Sequence, residues 1–486
     1  MFFRVLLLFC FVLPAWSLNS LPDLGHPSEK ILTPEAEKQL GKAFIRALKA
    51  QTSFINDELV SDYIRNLGFK LVSKSPEQGR DFNFFVIDSN EINAFAGPDA
   101  TIGINKGLIL AANNESQLAS VMAHEIAHVT QKHLTRAFQA SSDTTAATLA
   151  AVLAGILVSS ADPTAGAALV FGGVASGMQQ SINFTRSNEY EADRVGIQIL
   201  DESNINPKGM IEFFEILQSS SFYGSENDIE YLRTHPLNSA RIAEATSRTP
   251  TASFSKPNDS LNFQLARERL IVANHDNPNE LMKDYQPVND EKPSKAYSRA
   301  LIYLRLDKTE KAIETLTNLI KHHSHLWYEL SLAKTYLKAD KVEQSLSLYK
   351  RLAQIYPEYP PVTHAYSRAL IKSKKYAQSI KILEKQLLDD NSSTTYELLA
   401  QSYFAQNNLF KAYTVRAEQY ANEGLYETAV QQLANAIKLP GISTETIRRL
   451  HAKMQIYKNE YKKETEQILN QFSHLITLDI SNIKNL

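Results

Sequence analysis

The stretch 119–133, ASVMAHEIAHVTQKH, decides how the chain is read. It lies within NNESQLASVMAHEIAHVTQKHLTRAF (113–138), which reads as one long helix with Asn113 or Asn114 as its cap. An α-helix advances 100° per residue, so His124 and His128 project from one face, one turn apart. Two imidazoles at that spacing can hold one tetrahedral zinc, and Glu125 beside them can serve as base toward an attacking water. So short a pattern also fits a solvated helix that happens to carry two histidines. The two readings differ in what else they demand: a metal site needs a third ligand, whereas a solvated helix needs nothing. His133, nine residues beyond His124, falls on the far side of a continuous helix and is expected in solvent without a role.

The chain supplies a candidate third ligand in NEYEADRVGIQIL (188–200). Its apolar positions Ala192, Val195, Gly196, Ile199 and Leu200 form one helical stripe, and Glu189 and Asp193 lie i, i+4 at the end of it. Carboxylates on a buried face need partners. Glu189 as the third ligand, and Asp193 accepting a hydrogen bond from a ligand histidine, satisfy both groups. A surface ion pair is the plainer alternative. Glu191 is rotated by about 200° from Glu189 and is expected in solvent. Ala192 and Gly196 are small enough to let the two helices approach closely.

Upstream, TPEAEKQLGKAFIRAL (33–48) begins a helix with Thr33 as cap and Pro34 at the first position. FNFFVID (82–88) and EINAFAGPDATIGINKGLI (91–109) read as short strands, the latter folded around a Gly-Pro-Asp turn. The 486 residues are too many for one core and imply two or three domains. A net charge of −2 gives no reason to expect nucleic acid as a partner, and no glycine-rich phosphate loop points to a nucleotide.

The N-terminus, MFFRVLLLFCFVLPAWSLNS, has Arg4, the apolar run Val5–Leu13, Pro14 and then Ala15-x-Ser17, the plan of a signal peptide cleaved after Ser17. An arm over 18–32 follows. Cys10, the one cysteine, lies in the apolar run behind Phe9 rather than a small residue, which argues against a lipoprotein; the mature chain would have no thiol. AATLAAVLAGILV (146–158) and AGAALVFGGVA (165–175) are each too short to span a bilayer. They read as two Ala/Gly-rich helices packed on the catalytic domain, with a membrane-surface or lid role as the alternative.

Composition shifts at SRTPTASFSKPNDS (247–260), which marks a boundary between a catalytic domain over 33–250 and a loosely patterned connector over 251–291. Repeats follow. YSRALI occurs at 297–302 and again at 366–371, and LAKTYLKADKVEQSLSLYKRLAQIYP (332–357) has Ala333, Tyr336, Tyr349 and Pro357 at tetratricopeptide offsets. Four or five helix pairs with a period near 34 are expected over 292–440, closed by a helical cap over 441–486. The alternative is an unspecific helical bundle. The predicted fold class is therefore α+β and mostly helical: a zincin-type domain with a small sheet, then an α-solenoid.

In order along the chain, NAFAGPDATIGINKGLI, HEIAHV, NEYEAD and RTHPLNSARI resemble the HtpX-type and CAAX-prenyl-protease-type family of zinc metallopeptidases. The signal peptide and C-terminal repeats narrow the likeness to the periplasmic, BepA-like branch of that family. The resemblance implies one zinc per chain held by His124, His128 and Glu189, with Glu125 as general base, Asp193 behind the ligands and Arg241 near the site. For His235 three roles stay open: a plug on the fourth zinc position, an oxyanion stabiliser, or a surface histidine. Asn93, Ala94, Phe95 and Ala96 match the family's substrate-binding edge, and an exposed strand edge can add an extended peptide as a further strand; an ordinary turn is the alternative. The branch further implies export to the periplasm, compatible with a peripheral contact at the outer membrane. Implied partners are unfolded or misassembled outer-membrane proteins and the machinery that assembles them. Two rival readings remain: a chaperone or scaffold whose zinc is structural or permanently plugged, and an integral membrane protease, for which the chain lacks spans.

Overall fold

The computed structural model describes residues 33–77, 79–140, 186–222, 229–249, 260–289 and 291–476. The expected signal peptide and arm, the Ala/Gly-rich helices at 146–175 and most of the 247–260 boundary stretch lie outside these residues. Among the described residues no helix is long and apolar enough to cross a membrane.

Helices α1 (Pro34–Gln51) and α2 (Glu58–Val72) lead into the sheet. Asp57 caps α2, its carboxylate accepting from the Leu59 and Val60 backbone N–H groups. Strands β1 (Asn83–Ile87), β2 (Ala94–Gly97) and β3 (Thr101–Asn105) form a sheet in the order β1-β3-β2, with β3 parallel to β1 and antiparallel to β2. Every residue of the central β3 is buried. The Gly-Pro-Asp turn closes the β2–β3 hairpin: Thr101 N–H donates to Pro98, while Asp99 and Ala100 adopt φ of 54° and 50°. Two successive positive φ values match the right-handed twist of the strands they join.

After α3 (Lys106–Ala111) comes α4 (Glu115–Thr130), capped by Asn114 and buried along its whole length. A helix buried all round has neighbours on every side, and here they are α2, β2, α6 (Arg186–Glu202) and α7 (Lys208–Phe222). Helix α4 stops before His133. Lys132 takes φ 54°, and the chain turns into α5 (His133–Ala140). Short helices α8 (Glu230–Thr234) and α9 (Ser239–Arg248) complete the surroundings of α4 and α6.

The stretch expected as a loose connector contains the regular helix α10 (Leu261–Asn274), which buries Phe263, Leu265, Ala266, Leu270 and Val272. It packs against α2 and α3 on one side and α12 (Pro293–Arg305) on the other, with the short turns α11 (Pro278–Leu281) and Met282–Tyr285 between. Apolar residues needed on more than one side erase the single stripe by which sequence patterning recognises a helix.

The solenoid pairs α12 with α13 (Thr309–His322), α14 (Leu326–Lys338) with α15 (Val342–Ile355), α16 (Pro360–Lys372) with α17 (Tyr376–Gln386), and α18 (Ser393–Ala405) with α19 (Leu409–Asn422). Helix α20 (Tyr426–Ile437) packs on α19 and is covered by the long α21 (Thr444–Ile476). The turn inside each of the first four pairs carries one left-handed residue, Asp307, Asp340, Lys374 and Asn407 in succession. One apolar core runs without a break from α2 through α4 and α10 to Leu370 in α16. The array also returns to the N-terminal helices. Tyr359 and His364 bind Asp62 and Glu58 of α2, and Glu464 of α21 meets Arg46 of α1 at 2.8 Å.

Candidate metal centre

His124 and His128 meet as helix geometry requires, ring centroids 4.6 Å apart and Nε2 atoms 2.9 Å apart. Both rings turn Nε2 inward because each Nδ1 is engaged elsewhere: that of His124 lies 3.0 Å from Asp193 Oδ1, that of His128 2.8 Å from His133 Nδ1. Helix α6 can bring its acids to this point because it crosses α4 at Gly196, where an added Cβ would lie 3.4 Å from the His124 backbone nitrogen. Glu189 then sits with Oε2 3.4 Å from His124 Nε2 and Oε1 3.5 Å from His128 Nε2.

His235 joins this cluster from the end of α8. Its backbone N–H donates to Tyr231, whose buried ring lies against the imidazole at 4.7 Å. His235 Nδ1 lies 3.2 Å from Glu189 Oε1 and 3.4 Å from His124 Nε2, and its Nε2 lies 3.5 Å from Glu125 Oε1. One ligand atom from each of His124, His128, Glu189 and His235 falls within 4.8 Å of the others, and all four residues are buried. A surface position for His235 is thereby overturned. Arg241 is buried as well; Nε and Nη2 each donate to Asp193 at 2.8 Å, and Nη1 reaches Glu189 Oε2 at 2.9 Å and the Pro236 carbonyl at 2.9 Å.

Two observations test whether these residues suit a divalent cation. The first is charge. Glu125, Glu189 and Asp193 are buried together with one guanidinium, so the carboxylates outnumber it by two, the charge of one such cation. The second is Glu125, which is fully buried with neither oxygen hydrogen-bonded. Burial pushes its carboxyl up, against the lowering effect of His235 and His124. Without a cation, the facing Nε2 atoms must share a proton. Burial alone would lower His124, yet Asp193 and Glu189 raise it to about 9; burial and the charge on His124 hold His128 well below its ordinary value. Burial opposes ionisation of Glu189, but the nearby histidines keep its carboxyl well below the usual range. Two imidazoles and a carboxylate are donors that zinc accepts.

Of the expected edge residues, Ala94, Phe95 and Ala96 lie on β2, the outer strand beside α4, and Asn93 immediately precedes it. Ala94 is buried, Phe95 packs edge-on to Phe44 at 6.0 Å, and the Ala96 backbone lies near the Glu125 carboxylate without reaching hydrogen-bond geometry. The Asn93 carbonyl accepts from Asn105, which ties this end of the edge to β3.

His133 is not in solvent. It is completely buried, with Nδ1 on His128 and Nε2 3.1 Å from Glu191 Oε2. The extrapolated helix fails because α4 ends first and the left-handed Lys132 redirects the chain. No Gly or Asn marks that break, so the sequence holds little signal of it. Glu191 is about a third exposed, yet it is engaged by His133 and by Arg136, whose Nη1 lies at 2.8 Å. Burial lowers His133 to about 4, which outweighs the pull of Glu191.

A family model described as Peptidase family M48 matches residues 58–249, and one described as Tetratricopeptide repeat matches 336–402. The chain is 34% identical to the Beta-barrel assembly-enhancing protease of Escherichia coli (strain K12), over 87% of this chain and 89% of that one. It is 32% identical to a Putative beta-barrel assembly-enhancing protease of Vibrio cholerae, over 93% and 96%. The mitochondrial metalloendopeptidase OMA1 of Bos taurus is 25% identical, over 43% and 42%. Identity above 30% over most of both chains leaves one assignment: the chain belongs to the β-barrel assembly-enhancing protease family, and is a metalloprotease of peptidase family M48 with C-terminal tetratricopeptide repeats.

Proposed function

We propose that the chain is a zinc endopeptidase of the periplasm that acts on outer-membrane β-barrel proteins and is held latent by His235. The observation that carries this reading is the convergence of His124, His128 and Glu189 beside Glu125, a buried carboxylate without a hydrogen bond. His124, His128 and Glu189 would hold the zinc, one ion per chain. When bound, zinc supplies Lewis acidity toward a water and a peptide carbonyl. Glu125 takes the proton from the attacking water and delivers it to the leaving amine. Asp193 holds His124 in the tautomer that turns Nε2 inward, and Arg241 orients Asp193 and Glu189.

His235 lies where a fourth ligand would sit, in reach of Glu189 and His124, and this placement supports the plug. A protease that grips unfolded chains in a compartment full of them needs such a gate. Extended segments would add to β2 along Asn93–Ala96, a mode that reads backbone rather than sequence. The names of the relatives point to barrel assembly, and an array of stacked helix pairs suits docking of unfolded or misassembled clients or of the assembly machinery. We place the protease unit at 33–250, the connector at 251–291, the repeats at 292–440 and the cap at 441–486, behind a signal peptide over 1–17.

The test is degradation of an unfolded outer-membrane barrel protein by wild type, Glu125→Gln, His235→Ala and the double variant. Faster cutting by His235→Ala is expected, with loss of about 10²–10⁴-fold on Glu125→Gln in both backgrounds. If every variant binds the barrel protein and none cuts it, the chain is a scaffold. Loss of wild-type cutting in His235→Ala makes that residue a catalytic helper instead of a plug.

A further inference from the structure

We infer that His133 is a positioning residue for the metal centre, which sets the tautomer and orientation of His128 through a relay ending on Glu191 and Arg136. The inference rests on His128 being a ligand, and the experiment below separates the two.

Proton bookkeeping carries the argument. The contact between His128 Nδ1 and His133 Nδ1, at 2.8 Å, can hold one proton only. On its other side His133 presents Nε2 to the Glu191 carboxylate at 3.1 Å. An ionised carboxylate only accepts, so His133 Nε2 carries its proton, and the neutral ring has its lone pair on Nδ1. The shared proton therefore belongs to His128 Nδ1, and the lone pair of His128 Nε2 faces His124, Glu189 and His235. A ring turned the other way would present an N–H to a cation. Arg136 Nη1 fixes the far end of the relay on Glu191 at 2.8 Å, and its Nη2 lies 3.4 Å from Asn188 Oδ1.

The two ligand histidines are thus supported differently. His124 is backed directly by the anion Asp193, which Arg241 neutralises. His128 is backed by a neutral imidazole, and the anion stands one residue further out beside Arg136. The difference has an electrostatic reason. The buried cluster already holds three carboxylates against one guanidinium, so a fourth directly behind His128 would add an uncompensated charge. An imidazole spacer keeps the hydrogen bond and leaves the charge at the surface. His133 is completely buried at the first position of α5, which the chain reaches through the left-handed Lys132.

The experiment measures zinc affinity by chelator competition, and the visible spectrum of the cobalt-substituted protein, for full-length wild type, His128→Ala, His133→Leu, His133→Gln and Glu191→Ala. His133→Leu should weaken zinc binding about 10–100-fold, the usual effect of removing a partner behind a ligand. It should also alter the cobalt bands while thermal unfolding of the metal-free protein stays unchanged. His133→Gln, whose amide can accept from His128 and donate to Glu191, should restore most of the affinity, and Glu191→Ala should give a smaller loss. Zinc affinity within twofold of wild type and an unaltered cobalt spectrum in a folded His133→Leu overturn the inference. If His133→Leu does not fold, Glu191→Ala decides: a loss supports the relay and an unchanged affinity overturns it. Should His128→Ala itself keep zinc, the ligand assignment fails, which is a different result from wild-type affinity in the His133 variants alone.

Discussion

Replacing Arg241 by Met should destabilise the protein severely, and more so without metal than with it. Arg241 is 2% exposed and donates to both Asp193 oxygens, to Glu189 and to the Pro236 carbonyl. Methionine fills most of the volume but removes the guanidinium from two buried carboxylates, which are left to share the His124 imidazole. Removing one member of a buried pair costs about 3–5 kcal/mol, because the remaining charge stays desolvated. For a cooperative unit of about 150–250 residues, each kcal/mol lowers Tm by roughly 2–4 °C, so a fall of at least about 6 °C is expected. A bound divalent cation would neutralise part of the excess, so the gap between variant and wild type should narrow with zinc and widen in chelator. Arg241→Lys restores the charge but not the planar fork, and should lie between the two. The assay is thermal unfolding followed by circular dichroism, with saturating zinc and with chelator. A Tm shift below about 3 °C under both conditions, or a gap that does not respond to zinc, would refute the charge argument.

Gly209 opens α7 where the chain touches α4, and an added Cβ would stand 2.3 Å from the Ser116 carbonyl oxygen. Gly209→Ala must push the helices apart and should cost about 1–3 kcal/mol in denaturant unfolding; an unchanged midpoint would mean that the approach is looser. His364 is buried between Glu58 of α2 (Nδ1 at 3.0 Å) and Thr395 (Nε2 at 2.7 Å), with Asp390 3.6 Å away and Arg368 also on Glu58. Burial works against its charge, but the nearby Asp390 and Glu58 carboxylates raise it above its ordinary value. A raised histidine contributes fully below its unfolded pKa of about 6.5, and the contribution is lost as pH rises through the folded value. Stability should thus fall more steeply in wild type than in His364→Gln as pH rises above about 6.5, and parallel Tm profiles would rule this junction out as the cause.

Much of the site is legible because it is local. His124 with His128 and Glu189 with Asp193 are i, i+4 pairs, and a helix puts such pairs on one face whatever surrounds it. Gly196 announces the close crossing for the same reason: an apolar stripe with a gap in it predicts where another backbone fits. Legibility fails where regular geometry stops. Helical extrapolation misplaces His133 because the helix ends at Thr130, and the left-handed Lys132 that turns it inward has no residue signature. Helix α10 shows no single apolar stripe in the sequence because it is covered on both sides. His235 and Arg241 were visible only through family likeness, since nothing periodic ties α8 and α9 to residues more than a hundred positions earlier.

Hydrophobic and polar spacing, turn residues and repeats thus determined the small sheet, the two helices with their i, i+4 pairs of candidate donors, and the solenoid. Each of these depends on φ and ψ preferences within a few residues. Which imidazole nitrogens turn inward, how Arg241 offsets two carboxylates, where His235 sits and how the solenoid closes onto α1 and α2 were decided by the tertiary structure alone. These properties depend on Coulomb interactions and hydrogen bonds between side chains up to 418 positions apart in sequence, and such pairs are neighbours only after the chain has folded.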